Sequence, residues 1–140
     1  MNFLRLSKHL LLFSFLAFLA ANTSARAASP CDGVKRTLTS ERRATLAPII
    51  AGQLNVKKAN VRKQSFRVSL WSIYYVESEE NDDAYVFYAH DPSASRYVTI
   101  WGGAATSDEE QAIKAWVLKN APGIPHRLAG CFAWHVTNEP

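Results

Sequence analysis

Hydrophobic and polar residues follow two different periods along the chain, and the first clear one is helical. Between residues 39 and 54 the apolar side chains recur at helical spacing. They are Leu46, Ile49, Ile50 and Leu54. Thr39 or Ser40 can cap this helix. Pro48 lies inside the pattern and removes one backbone donor, so we expect a kink or two short helices there.

Strand-forming residues dominate the next part of the chain. Polar, turn-rich segments divide it into four candidate strands. These are residues 61–68, residues 71–77 (with Leu70 as an alternative start), residues 84–89 and residues 96–101. Consecutive strands joined by short loops are typical of an antiparallel meander. The middle of the chain is therefore predicted to be one antiparallel sheet.

A second helix and a further strand are predicted after residue 101. Ser107 with Glu110 three positions later forms a capping box, and the apolar stripe that follows ends before Pro122. Residues 127–137 then alternate, which predicts a last strand with two different faces. One face carries Leu128, Gly130, Phe132, Trp134 and Val136, and the other carries Ala129, Cys131, Ala133 and His135. The predicted order is α-β-β-β-β-α-β. We therefore expect an α+β fold with a four- to five-stranded antiparallel sheet and two helices packed on one face.

The beginning of the chain has the pattern of a Sec-type signal peptide. Arg5 and Lys8 precede an apolar run at residues 10–21, and Ala25 and Ala27 are small residues at the positions that a signal peptidase reads. The apolar run is too short for a stable membrane span. We therefore expect cleavage after Ala27, no stable membrane insertion afterwards, and a single exported domain at residues 28–140, in the periplasm or outside the cell.

The net positive charge of the chain falls once the predicted signal peptide is excluded. The full sequence has 16 basic and 12 acidic residues, and three of the basic residues lie in the first 27 positions. A chain that is nearly neutral after cleavage gives no reason to expect a nucleic-acid partner. Residues 28–67 are nevertheless strongly basic and residues 68–140 acidic. We favour attraction between these two parts within the fold, and the alternative is a basic face for an anionic glycan or lipid.

The two cysteines, Cys31 and Cys131, lie near opposite ends of the predicted domain. One pair of cysteines in an exported chain predicts a disulfide bond. Lipidation of Cys31 is the weaker alternative, because no leucine precedes it and Pro30 adjoins it. A reactive thiol would require Cys131 to be unpaired and close to a base.

Aromatic residues are the strongest indication of a binding function. Trp71 and Tyr75 share one face of their predicted strand, and Tyr97 and Trp101 share one face of another. Both faces of the predicted sheet are apolar, and two short helices can cover only one. The other face is then either a Trp- and Tyr-rich recognition surface or is covered by the N-terminal arm or a partner subunit.

Metal and catalytic motifs are weak in this sequence. The acidic loop at residues 77–83 lacks the ligand spacing of an EF-hand, which favours a solvated hairpin tip over a calcium site. His90, His126 and His135 lack the close helical spacing of a zinc motif. No nucleophile motif of a known hydrolase type is present. We therefore predict no metal, cofactor or catalytic residue.

By size and cellular address the chain resembles small periplasmic domains, a group that includes inhibitors and immunity proteins. We predict a non-enzymatic binding domain of this kind. It would recognise a protein or a cell-envelope component through Trp71, Tyr75, Tyr97 and Trp101. One alternative is a small hydrolase or metal-dependent enzyme that uses His90, His135 and nearby carboxylates. Another is a structural homodimer whose sheet faces pair.

Overall fold

The structure is a computed structural model that describes residues 28–139, so the predicted signal peptide at residues 1–27 lies outside the described residues. Nine elements follow one another along this part of the chain. They are β1 (Lys35–Thr37), α1 (Ser40–Leu54), β2 (Asn60–Val68), β3 (Trp71–Glu77), β4 (Ala84–Tyr88), β5 (Thr99–Trp101), a short 3-10 turn (Ser107–Glu109), α2 (Glu110–Asn120) and α3 (His126–Asn138).

The five strands form one open sheet in which each strand pairs with its sequence neighbour, in the order β1-β2-β3-β4-β5. Every pairing is antiparallel. This confirms the α+β class and the meander. The edge strand β1 carries no apolar alternation and was not predicted. The strand predicted at residues 96–101 is shorter, because only Thr99–Trp101 pairs with β4.

The strand predicted at residues 127–137 is wrong, because this segment forms helix α3. Its apolar residues fit two periods at once. Leu128, Phe132 and Val136 are four residues apart, so the spacing that satisfies alternation also satisfies one helix face. Eight of the 13 residues of α3 are buried, so the segment has few polar positions that would distinguish a helical period from a strand period. Ala129 and Ala133 favour the helix by intrinsic propensity.

Helices α2 and α3 pack on one face of the sheet, which we call the helix-pair face. Phe66, Ile73 and Phe87 from the central strands meet Val117 from α2 and Phe132 from α3. All five side chains are fully buried. Burial of apolar area on this scale is the main stabilising contribution to such a layer.

Helix α1 covers the opposite face, which we call the single-helix face. Its side chains Leu46 and Ile50 are fully buried against strand residues that include Val61, Val86 and Tyr88. The sheet is therefore enclosed by helices on both sides. The two helices that were predicted to share a face, α1 and α2, pack on opposite faces, so the predicted open aromatic face does not exist in this arrangement.

Helix α1 runs through Pro48 without interruption, contrary to the expected division. Pro48 and Ala44, whose carbonyl would accept the missing amide, both lie on the exposed side, so water can hydrate that carbonyl. The Thr39 hydroxyl caps the first turn by accepting from the Arg42 amide at 3.2 Å. Asn55 ends the helix in the left-handed conformation with φ of 57°, a position that asparagine tolerates well.

A disulfide bond joins Cys31 to Cys131, as the sequence predicted, with the two Cα atoms 4.6 Å apart. Cys31 lies in the arm before β1, and Cys131 lies in the first half of α3. The bond therefore fixes the arm against the helix-pair face. Among residues 28–139, no helix combines the length and apolar character that a membrane crossing requires.

Candidate functional site

A small aromatic pocket lies where the ends of β3, β4 and β5 meet the end of α3. Its volume is about 170 Å³. Its walls are Tyr75, Tyr85 and Trp101, with Val136 from α3 behind them. All three side chains are half-buried. Tyr85 and Trp101 also pack against the core of the helix-pair face.

The strand register brings these rings together. Tyr75 is directly opposite Tyr85, and Tyr85 is directly opposite Trp101, so all three side chains project from the same face. The ring centroids of Tyr75 and Tyr85 are 4.7 Å apart, and those of Tyr85 and Trp101 are 5.9 Å apart. Both distances lie in the range of favourable aromatic contacts. Phe132 supports the row from below, 5.0 Å from Tyr85.

Glycines form the mouth of the pocket. Gly102 and Gly103 follow β5 directly, and Gly103 has a φ of 124°, a conformation that residues with a side chain rarely adopt. The chain turns away from the sheet at this point and leaves the Trp101 ring uncovered on one side. The exposed Ala104 completes the rim.

The polar groups of the pocket are neutral phenols and a carboxylate. Tyr75 donates its hydroxyl to Asp83 Oδ2 at 3.2 Å. Partial burial, followed by the negative charge of Asp83, raises the pKa of Tyr75 above its ordinary value. Burial raises the pKa of Tyr85 to about 12. Both hydroxyls therefore keep their protons at neutral pH and can act as hydrogen-bond donors.

The structure separates the four aromatic residues that the sequence singled out. It brings Tyr75 and Trp101 together in the pocket. Trp71 lies at the opposite end of β3 and packs against the helix-pair face, whereas Tyr97 packs against the single-helix face. Sequence reasoning did not select Tyr85 as an anchor, although its position opposite Tyr75 in an alternating strand was the signal that could have found it.

The histidines do not converge either. His135 is buried in α3, where its Nδ1 atom lies 3.0 Å from Arg36 Nη2 and 3.3 Å from Glu139 Oε2. Burial lowers the pKa of His135, and Glu139 partly opposes that effect. His90 is exposed just beyond β4, and His126 is exposed at the first residue of α3. Within residues 28–139, no three histidine, cysteine or acidic side chains are arranged to hold a metal ion.

The acidic loop at residues 77–83 uses several of its carboxylates in local contacts. Glu77 accepts from Asn60 at 2.9 Å and pairs with Arg62 at 3.3 Å. Glu80 accepts from the backbone amide of Lys57 at 2.7 Å. These contacts distribute the carboxylates over separate partners, as in a solvated hairpin tip. Asp83 is the last residue of this loop and also lines the aromatic pocket, so the loop lies beside the pocket.

Comparisons with protein families, curated proteins and solved structures found no match for this chain.

Proposed function

We propose that the protein is an exported binding domain of the inhibitor or immunity type. It takes an apolar side chain of a partner protein into the aromatic pocket formed by Tyr75, Tyr85 and Trp101. The observation that carries this proposal is the row of three paired rings, half-buried and open on one side at the glycine turn. Such a concave, largely desolvated group of Tyr and Trp side chains is the environment in which interface hot spots occur.

The pocket is suited to a single anchor residue rather than to a large ligand. Its volume of about 170 Å³ is well below the volumes of several hundred Å³ that are typical of sites for drug-sized molecules. Tyr85 and Trp101 already contact Phe132, and Tyr75 contacts Tyr85, so the rings lose little conformational freedom when a partner side chain enters. The binding free energy would therefore come mainly from burial of the anchor.

The rim of the pocket adds a preference for charge. Asp83 lies at the edge, and the exposed residues Glu79, Glu80 and Asp82 precede it in the acidic loop. A partner with a lysine or arginine beside the apolar anchor would complement this rim and associate faster at low salt. The proposed partner segment therefore combines one apolar or aromatic side chain with an adjacent cation.

Export is part of the same proposal and rests on the signal-peptide pattern of residues 1–27. The disulfide bond is compatible with an oxidising compartment. A protein that works outside the cytoplasm meets secreted and envelope enzymes directly. An inhibitor or immunity protein against such an enzyme is the most specific form of the proposal.

The test is to block the pocket without removing any core contact. Ala104→Arg places a long side chain at the exposed rim, and Ala112→Arg makes the same change on the exposed side of α2 as a matched control. The two variants and the wild type would be used to capture partners from the exported fraction of the source organism. Bound species would then be identified by native mass spectrometry without reductant.

We expect a specific partner with wild type and Ala112→Arg, and at least about a tenfold loss of its affinity with Ala104→Arg, or 1.4 kcal/mol. A second pair, Tyr75→Ala and Tyr97→Ala, compares a pocket tyrosine with one outside it. Tyr75→Ala should weaken binding by a similar factor, whereas Tyr97→Ala should leave it within about twofold. Equal affinity of all four variants for the partner would contradict the proposal.

A further inference from the structure

Strand β2 contains a bulge that gathers cations at one edge of the sheet. Val61 is opposite Val76, and Ser65 is opposite Tyr74, so residues 62–64 all stand against a single residue of β3. The two additional residues take Arg62, Lys63 and Gln64 out of regular pairing with β3, and all three are exposed. Gln64 still pairs with Thr37 of β1. Bulges of this kind redirect side chains and are frequent next to functional sites.

The bulge forms the floor of a cleft with a volume of about 660 Å³, which we call the basic cleft. Six residues line it, of which four are cationic and none acidic. They are Arg36 and Thr37 from β1, Arg43 from α1, and Arg62, Lys63 and Gln64 from the bulge. The Leu38 amide donates to the Lys63 carbonyl at 2.9 Å, which holds the edge strand against the bulge.

Ion pairs within the chain account for only part of this charge. Arg36 bonds Glu139 at 2.8 Å, and Arg62 approaches Glu77 at 3.3 Å. Among the described residues, no carboxylate lies within ion-pair distance of Arg43 or Lys63. The Arg43 Nε atom is also buried without a hydrogen-bond partner.

Repulsion between the like charges of the basic cleft opposes folding, and a bound anion would offset that repulsion. Clefts lined by one sign of charge also concentrate the electric field and raise the local concentration of counter-charged ligands. The excess of cations over carboxylates distinguishes the cleft from an ordinary charged surface.

We propose that the basic cleft binds a small, soluble molecule that carries a phosphate or pyrophosphate group. Guanidinium groups present paired donors that match phosphate oxygens, and lysine adds a point charge. A phosphate group can accept from several such donors at once, whereas a single carboxylate offers only two oxygens. Thr37 and Gln64 supply neutral polar groups for the remainder of the ligand. The concave shape favours a soluble molecule over the flat surface of a bilayer.

Pyrophosphate is the probe for this site, measured by titration calorimetry at about 150 mM salt so that weak surface attraction is screened. Arg43→Gln and Lys63→Gln each remove one cation that has no carboxylate partner among the described residues. Lys119→Gln removes an exposed cation at the end of α2 and serves as the control. Thermal unfolding of each variant verifies that it is folded. Lys63 is exposed, so Lys63→Gln should fold even if Arg43→Gln does not.

We expect submillimolar binding of pyrophosphate to wild type and Lys119→Gln, and at least about tenfold weaker binding to Arg43→Gln and Lys63→Gln. Absence of binding to the wild type, or an equal loss in the Lys119→Gln control, would overturn the proposal. Vesicles that contain phosphatidylglycerol form the second arm. Binding to these vesicles without binding to pyrophosphate would identify a membrane surface as the ligand and would also overturn it.

Discussion

The two faces of the sheet are stabilised in different ways. On the helix-pair face, Phe132 contacts four rings edge-on, with centroid distances of 6.1 Å to Phe66, 5.0 Å to Tyr85, 5.1 Å to Phe87 and 5.5 Å to Trp101. The disulfide bond additionally holds this layer to the N-terminal arm. Two helices that pack on each other and a covalent bond make it the more constrained side.

The single-helix face relies on one helix and on polar contacts to a neighbouring loop. Gln53 of α1 donates to the carbonyls of Pro92 and Ser95, both at 2.9 Å, and accepts from the Tyr88 hydroxyl at 3.0 Å. Arg42 forms an ion pair with Asp91 at the other end of the helix. Exposed ion pairs stabilise little, so burial of aliphatic side chains carries most of this layer.

Because the two faces are stabilised differently, α1 and the α2–α3 pair need not unfold together. Regions with fewer packed neighbours and no covalent constraint open at lower free energies than the rest of a domain. We therefore expect α1 to detach while the sheet and the helix pair remain folded. The aromatic pocket belongs to the constrained layer, whereas the basic cleft would lose Arg43 if α1 detached.

Removing the disulfide should have the largest effect, because it abolishes the main asymmetry between the faces. The double variant Cys31→Ser, Cys131→Ser releases a loop with a sequence separation of 100 residues. On the chain-entropy argument the free energy of unfolding should fall by about 4–5 kcal/mol. Urea unfolding of the variant, compared with wild type in the absence of reductant, measures this. A loss below about 1 kcal/mol would show that the bond adds little to the helix-pair face.

A matched pair of truncations should separate the two faces. Leu128 of α3 and Leu46 of α1 are both completely buried, so Leu128→Ala and Leu46→Ala remove the same group from opposite layers. Each should destabilise its layer by about 2–5 kcal/mol. In hydrogen exchange, Leu46→Ala should lower protection mainly in α1, whereas Leu128→Ala should lower it throughout the domain. Identical exchange patterns in the two variants would mean that both layers open as one unit.

The smallest expected effect is a pH dependence of the free energy of unfolding, which arises from His135 on the helix-pair face. Burial lowers the pKa of His135 below its unfolded value of about 6.5, so the unfolded chain binds its proton more readily. The contribution of His135 to stability is therefore complete above about pH 6.5 and is lost as the pH falls toward the lowered folded pKa. The carboxylates of Asp91 and Glu139, whose pKa values are also lowered, titrate below that range.

Urea unfolding at about pH 7.5 and 5.5 tests this expectation against His135→Gln, which cannot titrate. The wild type should be less stable at the lower pH, and the variant should show a flatter dependence. The groups that face the ring are Arg36, Glu139 and Phe66, so the variant retains its polar neighbours. An equally steep dependence in both proteins would assign the effect to other groups.

The sequence predicted the elements whose residues fit only one kind of secondary structure. These are β3 and β4, which are runs of strand-forming residues bounded by turn-rich segments, and α2 with its apolar stripe. The capping box was predicted at Ser107 and Glu110, but Thr106 and Glu109 form it, at the 3-10 turn before α2. The prediction was wrong at α3, where spacing by four satisfies a strand and a helix equally, and it missed β1, a three-residue edge strand that is recognisable only from its pairing with β2. The pairing of Cys31 with Cys131 followed from their number and the expected compartment.

The candidate sites were less predictable because they depend on register. Tyr75 and Trp101 were selected for their residue type, but only the strand pairing shows that Tyr85 joins them and that Trp71 lies elsewhere. The basic half of the chain was visible in the sequence. Its concentration in one cleft depends on a bulge, and no local sequence pattern marked that bulge.

The link between Cys31 and Cys131 also determines what a protease can do to this protein. Almost every loop, including the exposed hairpin at residues 77–83, lies inside the covalent ring that the bond closes. A single cut in any of these loops leaves two fragments that are still joined and still carry complementary strands. The domain can therefore be cut once in any of these loops without separating into two pieces.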